Sequence, residues 1–339
     1  MSKRGWLRNP DTITLYRVLL LWRAGPLKGR PSLPEFDVSR LFQAYVMVDW
    51  SAASAPKTGK DSIWIGVIKR DIRFRPTFEA FNVPTRQAAE AKLGEILADL
   101  RRRSERVLIG FDFPLGYPAG TAAALKLKEP GWAGMWAFLA ANVVDKPTNT
   151  NNRFQVAAKM NRLMTDEARP FWGAPASDAQ RWLSTTKPAE HGKDLPPVSR
   201  EAELATQGKG KAGAKTVWQL MGAGTVGGQV IMGIPAVKRL ADELGDKAAV
   251  WPFQTGWKAL KPEDVAGKEA VIVEIYPSLQ DCVAEPGEVP DRAQVRTLCE
   301  LYARLDEQGK LGEVFAPPKD AAPELVQSVE TEEGWILGA

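Results

Sequence analysis

Three apolar runs in this 339-residue chain each carry a single acid, and no other feature constrains the fold as tightly. Tyr45-Val-Met-Val-Asp49-Trp-Ser-Ala-Ala-Ser54 drives straight into a carboxylate and then into small residues. Val107-Leu-Ile-Gly-Phe-Asp112-Phe-Pro repeats the pattern, and Ala270-Val-Ile-Val-Glu274-Ile-Tyr-Pro carries an acid inside its run. Aspartate is disfavoured in strands, and a carboxylate among apolar neighbours is costly unless a cation or hydrogen-bond donor meets it. Three core strands delivering one carboxylate each are therefore expected to converge on one site.

The runs between these acids set the order of elements. After the first strand, residues 51–60 form a turn-rich connection into a second strand at 61–69, and a third covers about 74–83, so that two antiparallel connections make a meander. Thr85 is placed to cap a helix through Arg103, with Leu93, Ile96, Leu97 and Leu100 at helical spacing, and Arg101-Arg-Arg103 complements the dipole at its end. The strand ending at Asp112 follows directly. A chain of this length admits one large α/β domain with an insertion, or two domains.

Composition narrows the chemistry. Cys282 and Cys299 are the only cysteines and His191 the only histidine, which excludes zinc sites of the usual Cys/His count and leaves carboxylates to carry most of any reaction. Cys299 shares a helical apolar face with Val295, Leu298, Tyr302 and Leu305 and reads as core. Two such cysteines fit reduced thiols and a cytoplasmic location. The net charge of +4 is uneven: residues 1–42 hold 8 basic and 3 acidic residues, and the rest of the chain holds 37 against 38. The basicity belongs to an N-terminal arm, read as flexible, and is weak evidence for nucleic acid. Arg17 interrupts the apolar stretch 15–22 and Arg23 closes it, so neither a membrane partner nor a secretory segment is expected.

Three meandering strands, a helix and a fourth strand tipped with an acid open an RNase H-like fold. The chain resembles the family of predicted nucleases with that fold through Val46-Met-Val-Asp49-Trp-Ser, Ile109-Gly-Phe-Asp112-Phe-Pro-Leu-Gly116 and Val273-Glu274-Ile-Tyr-Pro-Ser278. The resemblance covers most of the chain from about residue 43. Some similar chains carry labels from molybdopterin guanine dinucleotide or cobalamin biosynthesis. It implies an α/β RNase H-like mixed sheet, with a large, mainly helical insertion at 118–268 between strands four and five of a domain spanning 43–339. It also implies Asp49, Asp112 and Glu274 as catalytic and metal-binding acids for Mg²⁺ or Mn²⁺. A last acid falls among Glu332 and Glu333, the second being the assigned metal ligand. Such oxygens hold hard cations that activate water against a phosphodiester.

The expected function is a metal-dependent phosphodiester hydrolase acting on a nucleic acid or nucleotide. Ser51, Lys57, Lys60 and Asp61 are placed at the mouth, and Arg153 and Trp172, from the insertion, contact substrate through charge and stacking. Two alternatives stay open: phosphotransfer of the actin-like or sugar-kinase type, and a non-catalytic nucleotide-binding or partner-binding module linked to cofactor biosynthesis. Gly222-Ala-Gly224-Thr-Val-Gly227 matches a dinucleotide fingerprint but follows no clean strand, and Gly233 and Pro235 are expected to interrupt the helix after it. Its small residues are read instead as letting a helix pack closely or backbone amides approach a ligand.

Overall fold

The computed structural model describes residues 40–339 apart from 72, 74, 209–212 and 223, so the basic arm lies outside the described residues up to position 39. Leu41 and Phe42, assigned to the arm by sequence, are buried, and their amides donate to Asp306 at 2.9 and 2.8 Å.

The protein is α/β, with a six-stranded mixed sheet in the order β3-β2-β1-β4-β6-β5. β1 (Ala44–Asp49), β2 (Ile63–Arg70) and β3 (Pro76–Val83) form the antiparallel meander. β4 (Val107–Phe111) and β6 (Ala270–Glu274) run parallel to β1, in the register Val48 to Phe111 to Glu274. Segment 118–268 also supplies a strand: β5 (Ala248–Val250) pairs parallel with β6 at the sheet edge. Three residues are too short for a periodic signal.

β4 and β6 read as unbroken apolar runs because both faces of the sheet are covered. On one face, Val46, Val48, Ile109, Phe111 and Ile272 pack with α1 (Arg86–Arg102), α2 (Gly131–Asn142), α3 (Arg153–Thr165) and α5 (Gly227–Leu244). On the other, Tyr45, Met47, Leu108, Val271 and Val273 meet α6 (Pro290–Glu307). Cys299 is fully buried there beside Val295, Leu298 and Tyr302, as its helical spacing predicts. Thr85 caps α1, its hydroxyl accepting the Ala88 amide at 3.2 Å. The arginine run at the end of α1 pairs with Asp99, Glu105 and Glu269.

α5 continues through Gly233 and Pro235, contrary to the sequence reading. Tertiary packing overrides local propensity here: a Cβ at Gly233 would lie 2.2 Å from the Phe113 ring. Gly233→Ala is therefore expected to destabilise the protein by about 1–3 kcal/mol through overpacking; a chemical-denaturation midpoint equal to wild type would contradict the fit. Among the described residues no helix is long and apolar enough to cross a membrane.

Candidate functional site

β1 and β4 end side by side, so the residues that follow the Val48–Phe111 pair, Asp49 and Asp112, meet at the carboxyl ends of two parallel strands. Crevices in open α/β sheets lie at such ends. The Asp112 amide donates to the Val48 carbonyl at 3.2 Å and the Trp50 amide donates to Asp112 Oδ1 at 2.8 Å, which fixes both backbones. The two carboxyl groups come within reach of each other, an approach that two ionised carboxylates resist and that a single shared proton relieves. Burial, and then the charge of Asp112, holds Asp49 well above the carboxylate range. Burial likewise pushes Asp112 up to about 7.

A third acid joins them from α6. Asp291, in its first turn, accepts the Asp61 amide at 2.6 Å, and its charge acts on both Asp49 and Asp112. Burial raises Asp291 as well. These acids and Asp61 line a cleft of ≈ 490 Å³, together with Ser51, Lys57, Arg153 and the start of α5.

A buried arginine holds the loop after β1 in place. Arg86 binds both oxygens of Asp145 at 2.6 Å and donates to the carbonyls of Ser51 (3.0 Å), Ala53 (2.8 Å) and Asn149 (2.9 Å). The Arg86 amide in turn donates to Asn149 Oδ1 at 3.0 Å. The Asn-rich stretch at 149–152 thus positions the site loop.

Of the expected site residues, Asp49, Asp112, Ser51, Lys57, Asp61 and Arg153 share this cleft. Lys60 stands beside it, acting on the charge of Asp291 without lining the cavity. Glu274 does not converge with Asp49 and Asp112. Its register partner is Phe111, one residue short of Asp112, and a one-residue offset turns a strand side chain to the opposite face. There Arg200 binds both Glu274 oxygens at 2.6 and 2.8 Å and also Glu203.

Glu333 belongs to the same buried cluster, not to the cleft. Its carboxylate accepts the amides of Ala119 (2.9 Å) and Glu201 (2.8 Å), and its carbonyl accepts Arg200 Nη1 at 2.7 Å. The adjacent Glu332 side chain accepts the Gly120 amide at 2.8 Å. Trp172 lines a separate cavity of ≈ 330 Å³ with His191 and Trp218. Among the described residues no three His, Cys, Asp or Glu side chains form a group that could hold a metal ion.

Asp291 was missed by sequence because an acid after proline in a first helical turn reads as ordinary dipole compensation. Only its helix packing against β1 and β2 carries it to the site.

The raised acids set a pH dependence for the metal-free protein. A group whose folded pKa is raised stabilises the fold fully below its ordinary value, here 3.8, and loses that contribution as pH climbs through its folded value, about 7 for Asp112. Asp112→Asn is expected to raise the melting temperature relative to wild type more at pH 8 than at pH 5 in EDTA. An identical difference at both pH values would mean that no proton is shared.

No family model matches this chain, and no curated protein or solved structure matches it.

Proposed function

We propose that the protein is a metal-dependent phosphoester hydrolase of the nuclease type, working from Asp49 and Asp112 with Mg²⁺ or Mn²⁺. The observation that carries this reading is the juxtaposition of Asp49 and Asp112 at the adjacent carboxyl ends of β1 and β4, where both line one polar cleft. Two acids so close hold either a proton or a cation between them. Mg²⁺ characteristically takes one or two protein carboxylates and completes its shell with water and substrate phosphate oxygens. The pair fits that donor set; the larger set that included Glu274 and Glu333 is not assembled.

A bound cation would supply a polarised water and neutralise charge on the leaving oxygen. Asp49 and Asp112 would hold it as carboxylates in place of a shared proton, so its uptake would release a proton. Asp291, anchored to the Asp61 amide, adds negative charge beside the pair, and Arg86 holds the 51–53 loop against it. The strand order β3-β2-β1-β4-β6, antiparallel and then parallel, supports the RNase H-like reading and the sequence resemblance to predicted nucleases.

Calorimetric titration with Mn²⁺ and Mg²⁺, wild type beside Asp49→Asn/Asp112→Asn, tests the proposal. Binding by wild type alone supports it; no binding by either protein, even with a nucleotide present, sinks it.

A further inference from the structure

Besides its acids, the cleft is lined by groups of the other sign. Arg153 opens α3 and lines the cavity with no carboxylate partner among the described residues. Its Nη1 donates to Ser54 Oγ at 2.8 Å and Asn151 Oδ1 at 2.9 Å, and its guanidinium lies 4.2 Å from the Phe154 ring centre; among the described residues neither its buried Nε nor its Nη2 has an acceptor. The charge of Asp178 acts on Arg153 without a direct ion pair between them, and a desolvated guanidinium left unpaired is unusual, because buried charges are ordinarily paired. Burial, and then the charge of Arg86, lowers Arg153 to about 10, still cationic at neutral pH. Lys57 lines the same cavity. Trp50, 1% exposed, also lines it and has an unpartnered indole Nε1.

The start of α5 completes this lining. Its N-cap is Val226, which gives no side-chain hydrogen bond, and its first turn holds no acid. The amides of Gly228 and Gln229 therefore have no acceptor within the helix. A Cβ at Gly228 would lie 3.3 Å from Ala52 Cβ and 3.5 Å from Arg153 Cδ, so glycine here lets the helix start approach the Asp49 loop and Arg153 together. Gln229 Nε2 donates to the Trp50 carbonyl at 2.6 Å and ties α5 to the residue after Asp49.

We propose that Arg153, Lys57 and the first turn of α5 bind the phosphate of a nucleotide-sized ester and present it to the Asp49–Asp112 pair. This rests on the hydrolase reading for what the acid pair then does, but not for the anion site itself. The size follows from the cavity. A volume of ≈ 490 Å³ lies within the range, about 300–1,000 Å³, of pockets that bury most of a small ligand. The residues after position 42 are also close to neutral, at 37 basic against 38 acidic, whereas tight polymer binding depends on many backbone phosphates being neutralised at once. A small ester needs only one anion site.

The probes are adenosine monophosphate and inorganic phosphate, titrated by calorimetry into the full chain in EDTA so that no cation bridges them to the acids. Wild type is expected to bind both. Arg153→Gln should weaken adenosine monophosphate about tenfold or more, the worth of a charge-assisted hydrogen bond. Lys57→Gln, at a side chain 47% exposed and already paired with Asp61 at 3.6 Å, should weaken it by a smaller factor. Asp49→Asn/Asp112→Asn should bind it as well as wild type or better, since two acids facing the anion are removed.

Equal affinity in wild type, Arg153→Gln and Lys57→Gln would overturn the proposal, as would no binding by wild type. A single-stranded oligonucleotide binding about a hundredfold tighter than the mononucleotide would overturn the size assignment. The Mn²⁺ titration is read separately: loss of cation binding with phosphate binding intact refutes the hydrolase reading alone, and the converse refutes the anion site alone.

Discussion

Asp49→Asn/Asp112→Asn is expected to abolish Mn²⁺ binding and to reduce hydrolysis of a model phosphodiester by about 10³-fold or more, with the fold retained. The size follows from what a cation contributes to charge stabilisation in phosphoryl chemistry, several kcal/mol, at about 1.4 kcal/mol per factor of ten. Asparagine keeps the shape and one oxygen of each aspartate, so the Trp50 amide that donates to Asp112 Oδ1 keeps an acceptor. The substitution removes the cost of burying charge and, after it, the mutual repulsion, which together hold Asp49 above the carboxylate range, so a stable but inactive protein is the predicted product. Metal titration, circular dichroism and turnover on the same preparation read these three quantities. Retained turnover after the double substitution would place the chemistry elsewhere. Loss of turnover with Mn²⁺ affinity unchanged would make the two aspartates something other than cation ligands.

The parts of this site that sequence exposes are those where a residue violates its local context. Asp49 and Asp112 stand at the ends of runs that should be wholly apolar, and that conflict marks them without any knowledge of the fold. Glu274 carries the same mark, but its meaning depends on register, which a single strand does not contain. Paired with Phe111 instead of following it, Glu274 faces away from the cleft and becomes half of a buried ion pair. Asp291 gives the opposite lesson: nothing local distinguishes it, and only the seating of α6 on the sheet makes it a neighbour of Asp49. The continuation of α5 through Gly233 and Pro235 depends on the Phe113 ring, which lies far away in sequence. Lys57, Asp61 and Arg153 were legible because charged residues flanking a strand-end acid or opening a helix have few other places to go. Trp172 was not, because an aromatic residue serves packing and stacking equally well.

Arg200→Met is expected to destabilise the protein by about 3–5 kcal/mol, with a melting temperature lower by roughly 10 °C. Arg200 is fully buried and is the cation facing two buried acids: it binds Glu274 through Nη1 and Nη2 and Glu203 through Nε. It also donates to the Glu333 carbonyl, and so joins α4 (Glu201–Ala205) and β6 to the turn at Val329–Glu333. Methionine fills much of the same volume, so the loss reports the stranded carboxylates more than a cavity. Burial already pushes Glu203 up to about 7, against the pull of Arg200, and removing the guanidinium raises it further. The linkage sign is therefore definite: the variant's deficit is largest above pH 7 and shrinks on acidification as Glu203 takes up a proton. Arg200→Met combined with Glu203→Gln and Glu274→Gln should recover much of the loss at pH 8, because paired removal of buried charges is far milder than removal of one partner. Thermal melts across pH 5–8 for the single and triple variants decide the matter. A pH-independent deficit, or no recovery in the triple variant, would mean that Arg200 acts through packing alone.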